Sequence, residues 1–400
     1  MTPVGDKEAE ASTVARMLDT FAMGNRITRN ELRGFADHEP PPRSPLLIEH
    51  MRKVLSILPA PQHSRQLVAF YFRKVEWYTG ALHQAWYEDE LQQLITCPPE
   101  MRPYLVRPCW LCLHLAVLCL SEHLLVPVER ESLGLPDEQG QEIARALFLA
   151  SKELLFASDF YYHHTIEHLQ CIILHGVYQY NTDEAADSHW ALLGSAIKIA
   201  QNLGLNRLGP ENKANEEWPG SWQDPVRRDI GRRIWWNIVL LDWSMASAYG
   251  STYLVKPDLP YSLCYSPGKS WITEESPGYG ITQLCDGTIE ERFLALRKAF
   301  PPYMESIEAA QSVADRLDSP NIVFECLLLR MCDQSYILRL HRPYQVMGYG
   351  NDEYRYSADR CVQAAKAILL DFHAAWLECP FLLNFWLVPS FVCVAGVVTF

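Results

Sequence analysis

One segment has the residue types and spacing of a zinc-peptidase helix: His164-Thr165-Ile166-Glu167-His168. Histidines four positions apart lie on the same side of a helix, where they could hold Zn²⁺ beside a glutamate base. However, no downstream acidic ligand is evident, and Glu167 also suits the first turn of an ordinary helix because of the macrodipole. We therefore interpret the segment as a helix start and predict neither a metal site nor a cofactor.

A second set of residues could line a pocket for a small molecule. Ligand pockets are mostly apolar with a few placed polar groups, and the aromatic candidates are Trp235, Trp236, Tyr249, Tyr253 and Tyr261. Asp242, Glu167 and His168 are the polar candidates, and they would be the catalytic residues if the protein were an enzyme. The pattern alone does not separate an effector pocket from a catalytic one, and the simpler alternative is that these aromatic residues fill a large core.

The cysteine pattern indicates buried thiols and no zinc cluster. The chain has 12 cysteines, of which Cys97 is the first. The close pair Cys109 and Cys112 lies in an apolar run without a second pair at a zinc-finger spacing. Cysteines spread through apolar runs are typical of a protein from a reducing compartment.

Composition limits the classes of partner. The chain has 400 residues, is 48% hydrophobic and carries a formal charge of −13, which disfavours general binding to nucleic acid. The first residues show no secretory signal, so we expect an intracellular protein. Residues 381–400 carry no charge but include Pro389, and we predict a buried helix pair broken there and no membrane span.

The hydrophobic pattern predicts an all-α fold, with about a dozen helices in antiparallel pairs forming one large body. Residues 1–45 are polar and end in a proline-rich run, so we expect a disordered tail or linker. Residues 46–400 would form one domain, with truncation at the C-terminus as an open alternative. The segment 251–288 is rich in Pro, Gly, Ser and Tyr and is predicted to be a long loop. The predicted helices cover residues 46–57, 62–78, 87–94, 104–125, 140–157, 165–180, 185–202, 226–249, 289–317, 324–340, 356–377 and 382–400.

The most specific stretch is Arg232-Arg233-Ile234-Trp235-Trp236, followed by Asp242 and Gly250. It resembles the signature of the fungal-specific transcription factor domain found in zinc-cluster regulators. The run that ends in Leu203-Gly204-Leu205 is similar to the preceding helix of that family, and Gly204 suits a left-handed helix cap.

The resemblance extends over most of the chain. Residues 54–91 are similar to the opening of the family, and residues 166–170 are similar to one of its helix starts. Leu340-His341-Arg342-Pro343-Tyr344 matches a helix end of the family. The six-cysteine zinc cluster that usually precedes this domain in the family is missing from the sequence.

The resemblance implies a transcription regulator domain that responds to a small-molecule effector or a partner protein. DNA would be reached only through a missing or separate module, and the expected location is the nucleus, with the cytoplasm as the alternative. Arg233, Trp236 and Asp242 would hold the central helix in register. Two alternatives stay open: a helical enzyme acting on a small metabolite in an aromatic pocket, and a modulator that docks onto a full-length regulator.

Overall fold

The computed structural model describes residues 43–134, 140–182, 186–208, 218, 220–248, 254–255 and 301–399. The described residues form α-helices and short 3-10 turns, with no strand among them, which confirms the all-α fold. They belong to two compact units, where one large body is predicted. The first holds the described residues 43–179 and 186–255, and the second holds 180–182 and 301–399. The predicted tail, residues 1–45, lies outside the described residues except for its last three.

Eleven α-helices begin among the described residues of the first unit. The longest helices include α6, α8, α9, α10 and α11, and α9 ends with the three residues that belong to the second unit. The helices are α1 Pro45–Ser56, α2 Pro61–Lys74, α3 Glu76–Thr79, α4 Gln84–Thr96, α5 Arg102–Leu105, α6 Pro108–Leu124, α7 Pro127–Ser132, α8 Gly140–Ala157, α9 Ile166–Thr182, α10 Ala186–Asn202 and α11 Pro225–Ala248.

Helix α6 is the centre of the first unit. It is apolar around its whole circumference, and nearly all of its side chains are buried, which is the pattern of an internal helix. The predicted helix over 104–125 was wrong at its start. Arg107 is extended because a residue before proline avoids the helical region, so the chain breaks there and α5 precedes the break.

Helix α10 ends as predicted. Gly204 has φ +80° and ψ 15°, the left-handed conformation that glycine adopts without strain. Leu205, which follows it, is buried against the body of the unit. The cap therefore sets the direction in which the chain leaves α10.

Gly231 lets helix α11 approach its neighbours closely, and we expect Gly231→Ala to destabilise the protein by about 1–3 kcal/mol. An added Cβ would lie 2.6 Å from Leu208 Cδ1 and 3.0 Å from a ring carbon of Trp222, and both of these side chains are fully buried. This overlap outweighs the gain of roughly 1 kcal/mol in helix propensity. Urea unfolding measures the change.

Gly194 provides the matched control in helix α10. A Cβ there would lie 3.6 Å from Leu254 Cδ1, an ordinary van der Waals distance. Gly194→Ala should therefore leave stability unchanged or raise it by up to about 1 kcal/mol. Equal effects of the two substitutions would contradict the close packing of α11.

The described residues of the second unit contain the α-helices α12 Ile307–Leu317, α13 Asn321–Gly348, α14 Arg355–Glu378 and α15 Leu387–Thr399. Helices α13 and α14 pack together along their length, and their short connection makes them an antiparallel hairpin. The prediction that His341, Arg342 and Pro343 end a helix was wrong, because Pro343 lies inside α13. Helix α13 tolerates Pro343 because the carbonyl group that loses its hydrogen bond, that of Arg339, lies on the solvent side, where Arg342 and Pro343 are also exposed. The opposite side of the helix, which includes buried His341, stays packed.

The predicted break at Pro389 is also misplaced. A 3-10 turn over Pro380–Asn384 ends before α15, and Pro389 occupies the first turn of α15, where a backbone N–H has no helical partner to lose. None of the helices in the described part of the chain is long and apolar enough to span a bilayer.

Candidate functional site

The aromatic residues predicted to line a pocket lie elsewhere. Trp235 is 2% exposed and belongs to the core of the first unit, on the same buried side of α11 as Val239 and Asp242. Trp236 is half-buried on the neighbouring side. Tyr249, Tyr253 and Tyr261 lie outside the described residues, as does Gly250 of the signature. The described tryptophans of the signature therefore contribute mainly to packing.

Asp242 is buried near the end of the described part of α11, and backbone amides stabilise it. Its Oδ2 accepts hydrogen bonds from the amides of Leu254 and Val255, each at 2.8 Å. Burial raises the pKa of this carboxyl group and the two amides oppose the rise. Two N–H groups of the following segment thus satisfy this buried carboxylate, and Asp242 holds that segment against α11.

The residues of the zinc-peptidase pattern have separate partners. His168 Nδ1 lies 2.9 Å from the carbonyl oxygen of His163, and its Nε2 lies 3.0 Å from Ser158 Oγ. His164 Nδ1 lies 2.6 Å from Asn202 Nδ2, and Glu167 forms an ion pair with Arg107. The described residues contain no group of three or more side chains that could hold a metal ion.

A cavity of about 360 Å³ lies in the first unit, where the N-terminal turns of α4, α6, α9 and α11 meet. Its size is at the lower end of the range for small-molecule sites. Glu167 is the one predicted site residue among those that line it, and Trp235, Trp236, Asp242 and His168 are not among them. The lining residues are Leu82, His83, Trp86, Tyr87, Asp89, Glu90, Gln93, Arg107, Trp110, Leu113, Ile166, Glu167, Gln170, Asp224, Arg227 and Ile230.

Arg107 joins two carboxylates on the cavity wall. Its Nη1 donates to Glu167 Oε1 at 2.7 Å and its Nη2 donates to Glu90 Oε1 at 2.6 Å. Burial alone would raise the pKa of Glu167, but the Arg107 guanidinium outweighs it and lowers that pKa to about 2. Glu167 is therefore ionised at neutral pH, and the contacts of Arg107 form a bridge between α4, α9 and the start of α6.

The apolar wall of the cavity is aromatic. The ring centroids of Tyr87 and Trp110 are 5.7 Å apart, and Trp110 stacks on His114 at 5.0 Å with an interplanar angle of 9°. His114 Nδ1 lies 2.6 Å from Tyr87 Oη, and burial lowers the pKa of His114 to about 3, so the ring is neutral. The indole Nε1–H of Trp110 is buried and has no hydrogen-bond partner among the described residues.

A short strap, residues 79–83, connects the cavity to helix α11. Gly80 adopts φ +56° at the end of α3, and its carbonyl oxygen accepts a 2.8 Å hydrogen bond from Arg233 Nη1. Asn237 Nδ2 donates to the carbonyl oxygen of Thr79 at 2.7 Å. Leu82 and His83, at the other end of the strap, line the cavity. Arg233 thus contacts the strap, one helical turn from Asp229, with which it also pairs at 2.6 Å.

Sequence reasoning missed most of this cavity. Glu90 and Trp110 lie in helices and Arg107 directly precedes one, but none of the three is part of a local motif, and they meet only through tertiary packing. The one available signal was Arg107-Pro108, a cation directly before a proline that begins an apolar helix. That signal does not name the acidic partners.

Comparison with protein families gives the class of this domain. Residues 101–284 match the model of the fungal specific transcription factor domain. The matched range contains α6, α9 and α11, which supply three of the four helix starts at the cavity. Residues 101–284 therefore carry the pattern of a fungal specific transcription factor domain, and the resemblance found in the sequence is confirmed over that range.

Curated relatives are transcription factors or regulators of fungi. A probable transcription factor, lepB of Aspergillus flavus, is 24% identical over 313 residues, which cover 66% of this chain and 55% of lepB. The uncharacterised transcriptional regulatory protein C1F7.11c of Schizosaccharomyces pombe is 23% identical over 80% of this chain and 43% of its own length. The equisetin cluster transcription factor eqxF of Fusarium heterosporum is 23% identical over 51% of this chain and 28% of its own length. The chain thus spans about half the length of the first two relatives.

The fold has a counterpart among solved structures. A chain in the structure of the K. lactis CBF3 core superposes with a TM-score of 0.54 at 12% sequence identity, covering 88% of this chain and 78% of that one. At this identity the likeness concerns the fold alone.

Proposed function

We propose that this chain is the regulatory part of a fungal transcription factor, and that a small-molecule effector binds in the cavity of the first unit. The family match and the relatives named as transcription factors support the regulatory role. The proposed effector site differs from the pocket that the sequence suggested, since it lies at the starts of α4, α6, α9 and α11 instead of around Trp235 and Trp236.

The observation that carries the proposal is the shared use of the strap. Leu82 and His83 line the cavity, while Thr79 and Gly80 are hydrogen-bonded to Asn237 and Arg233 of α11. Gln170 at the cavity also donates to the carbonyl oxygen of Ala81 at 2.7 Å. A ligand that binds one arrangement of the strap better than another will increase the population of that arrangement. Because the strap is hydrogen-bonded to α11, the change also reaches α11.

DNA and the nucleus belong to the same proposal. The net charge of −13 gives the chain no field that gathers phosphates. DNA would therefore be reached through a separate module or through a partner regulator. A fluorescent fusion of the chain should accumulate in the nucleus, and an electrophoretic mobility assay with the chain alone should show no shift of duplex DNA.

A reporter assay tests the regulatory role. The whole chain is tethered to a heterologous DNA-binding domain in fungal cells, and reporter transcription is measured with and without an added extract of fungal metabolites. We expect the tethered chain to change reporter output and the extract to alter that change. Output equal to that of the DNA-binding domain alone, under all conditions, would overturn the proposal.

Variants of α11 test the coupling. Asn237→Ala removes the hydrogen bond to Thr79 and should reduce the response to the extract at least severalfold, because only the Arg233 bond to Gly80 then couples the strap to α11. Leu240→Ala on the same helix is the matched control, since Leu240 is 53% exposed and does not line the cavity. Equal responses of the two variants would show that the strap does not transmit the signal.

A further inference from the structure

The charged side chains deepest in the cavity described above are already engaged with one another. Arg107 is bonded to both Glu90 and Glu167, and the Arg227 charge also lowers the pKa of Glu167. Four carboxylates and two guanidinium groups line the cavity, and Glu90 and Glu167 are the carboxylates that pair with Arg107. Asp89 is exposed at the rim, and Asp224 Oδ1 accepts the amide of Val226 at 2.9 Å, at the start of α11. An ionic ligand would have to compete with ion pairs that Arg107 has already formed.

The indole N–H of Trp110 is a neutral donor of the cavity wall, and it is left unsatisfied by the described residues. Trp110 is 2% exposed, and its Nε1–H has no hydrogen-bond partner among the described residues. A buried polar group without a partner is rare in a folded protein and carries a desolvation cost. A ligand atom that accepts a hydrogen bond from Trp110 would remove this cost.

The shape of the remaining wall favours a flat ligand. Trp86, Tyr87 and Trp110 provide aromatic surface, and Trp86 is 38% exposed near the opening. Aromatic side chains pair with other rings in stacked or edge-to-face geometry, which gains more than burial alone. The cavity of about 360 Å³ has room for a small molecule and not for a peptide.

From these three observations we infer that the cavity binds an uncharged, planar aromatic molecule that carries an oxygen acceptor for the Trp110 N–H. This inference rests on the proposed function only in treating the cavity as the effector site. It names the chemical class of the ligand: an aromatic ketone, lactone or ester, and not an organic anion or cation.

Direct binding to the purified chain tests the inference with four matched probes. Acetylnaphthalene is neutral with an acceptor, ethylnaphthalene is neutral without one, naphthoate is an anion and naphthylmethylammonium is a cation. Titration calorimetry gives each Kd. We expect acetylnaphthalene to bind roughly 3- to 10-fold tighter than ethylnaphthalene, the range of one net hydrogen bond, and both to bind tighter than either ion.

Two variants locate the binding. Trp110→Phe keeps a ring in place and removes the N–H, so it should cancel the difference between acetylnaphthalene and ethylnaphthalene. Trp86→Ala, at an exposed position that leaves the core intact, should weaken both neutral probes. Circular dichroism checks that each variant is folded. A tighter charged probe, a preference that persists in Trp110→Phe, or no binding of any probe would overturn the inference.

The binding experiment and the reporter experiment fail separately. If acetylnaphthalene binds as expected but the reporter never responds, the ligand class stands and the regulatory proposal fails. If the reporter responds to a metabolite while the neutral probes do not bind, the ligand class is wrong and the regulatory proposal stands.

Discussion

Lowering the pH from 7 to 5 is expected to reduce the free energy of unfolding of the first unit by about 5 kcal/mol. The cause is a set of four buried histidines, His114, His168, His175 and His189, each at most 2% exposed. Burial lowers the pKa of His114 and His175 to about 3, and that of His168 and His189 to about 4, from an ordinary value of 6.5. The folded chain therefore holds these rings neutral at pH 5, while the unfolded chain protonates them.

The direction of the effect follows from proton binding. Because the folded pKa values are depressed, the unfolded state binds more protons below pH 6.5, and stability falls as the pH drops from there toward the folded pKa. Each histidine removes about 2 kcal/mol at pH 5. Glu76 acts in the opposite sense, since burial raises its pKa to about 8. Between pH 7 and pH 5 it increases the free energy of unfolding by roughly 3 kcal/mol. The histidines prevail because there are four of them.

Urea unfolding followed by circular dichroism at pH 7 and pH 5 measures the effect. His189 Nε2 lies 2.9 Å from the carbonyl oxygen of Ile172, so His189→Gln can keep a donor there without a titrating ring. This variant should shrink the difference between the two pH values by about 2 kcal/mol. His373→Gln, at an exposed position, should not change it. Stability that is equal at both pH values in the native chain would contradict neutral buried histidines.

Arg130→Met is expected to destabilise the protein by about 3–5 kcal/mol, the usual cost of leaving one charge of a buried ion pair without its partner. Arg130 Nη2 donates to Glu122 Oε2 at 2.6 Å and to the carbonyl oxygen of Glu122 at 3.1 Å. Both side chains are 4% exposed, so water cannot replace the lost guanidinium. Urea unfolding at neutral pH measures the loss.

Two comparisons isolate the contribution of the buried charge. The double variant Glu122→Leu, Arg130→Met removes both charges and should recover most of the lost stability. Lys53→Met breaks the exposed pair with Glu153, whose side chains are 68% and 51% exposed, and should cost no more than about 1 kcal/mol. A double variant as unstable as Arg130→Met would assign the loss to packing instead of charge.

The sequence predicts the helices of this fold well because their apolar faces repeat at helical spacing. The predicted bounds of α8 agree with those observed, and Gly204 ends α10 as expected. The errors arise at prolines. Pro108 begins a helix where a continuous one was predicted, whereas Pro343 lies inside α13 where an end was predicted. Local pattern does not distinguish these cases, because the outcome depends on which side of the helix faces solvent.

The cavity was beyond prediction for a different reason. It brings together residues from four distant segments, and each of them looks ordinary by itself. Glu167 was identified as a polar candidate, but its partner Arg107 lies 60 positions earlier and has no motif that points to it. Conversely, the tryptophan pair of α11 had the more conspicuous pattern, yet Trp235 is a core residue. Conspicuous aromatic residues mark burial more readily than they mark a site.

The contacts of the strap also determine how late in synthesis the cavity can form. Gly80 and Thr79 are bonded to residues 153 and 158 positions later in the chain, Arg233 and Asn237. At ordinary elongation rates a ribosome needs roughly 8–30 s to cover that distance. During this interval residues 79–83 have been synthesised but α11, to which they are hydrogen-bonded in the folded chain, has not. Helices α1 to α10 therefore emerge before the cavity can form completely. A chaperone or an early-binding ligand would find the cavity walls incomplete until α11 has left the exit tunnel.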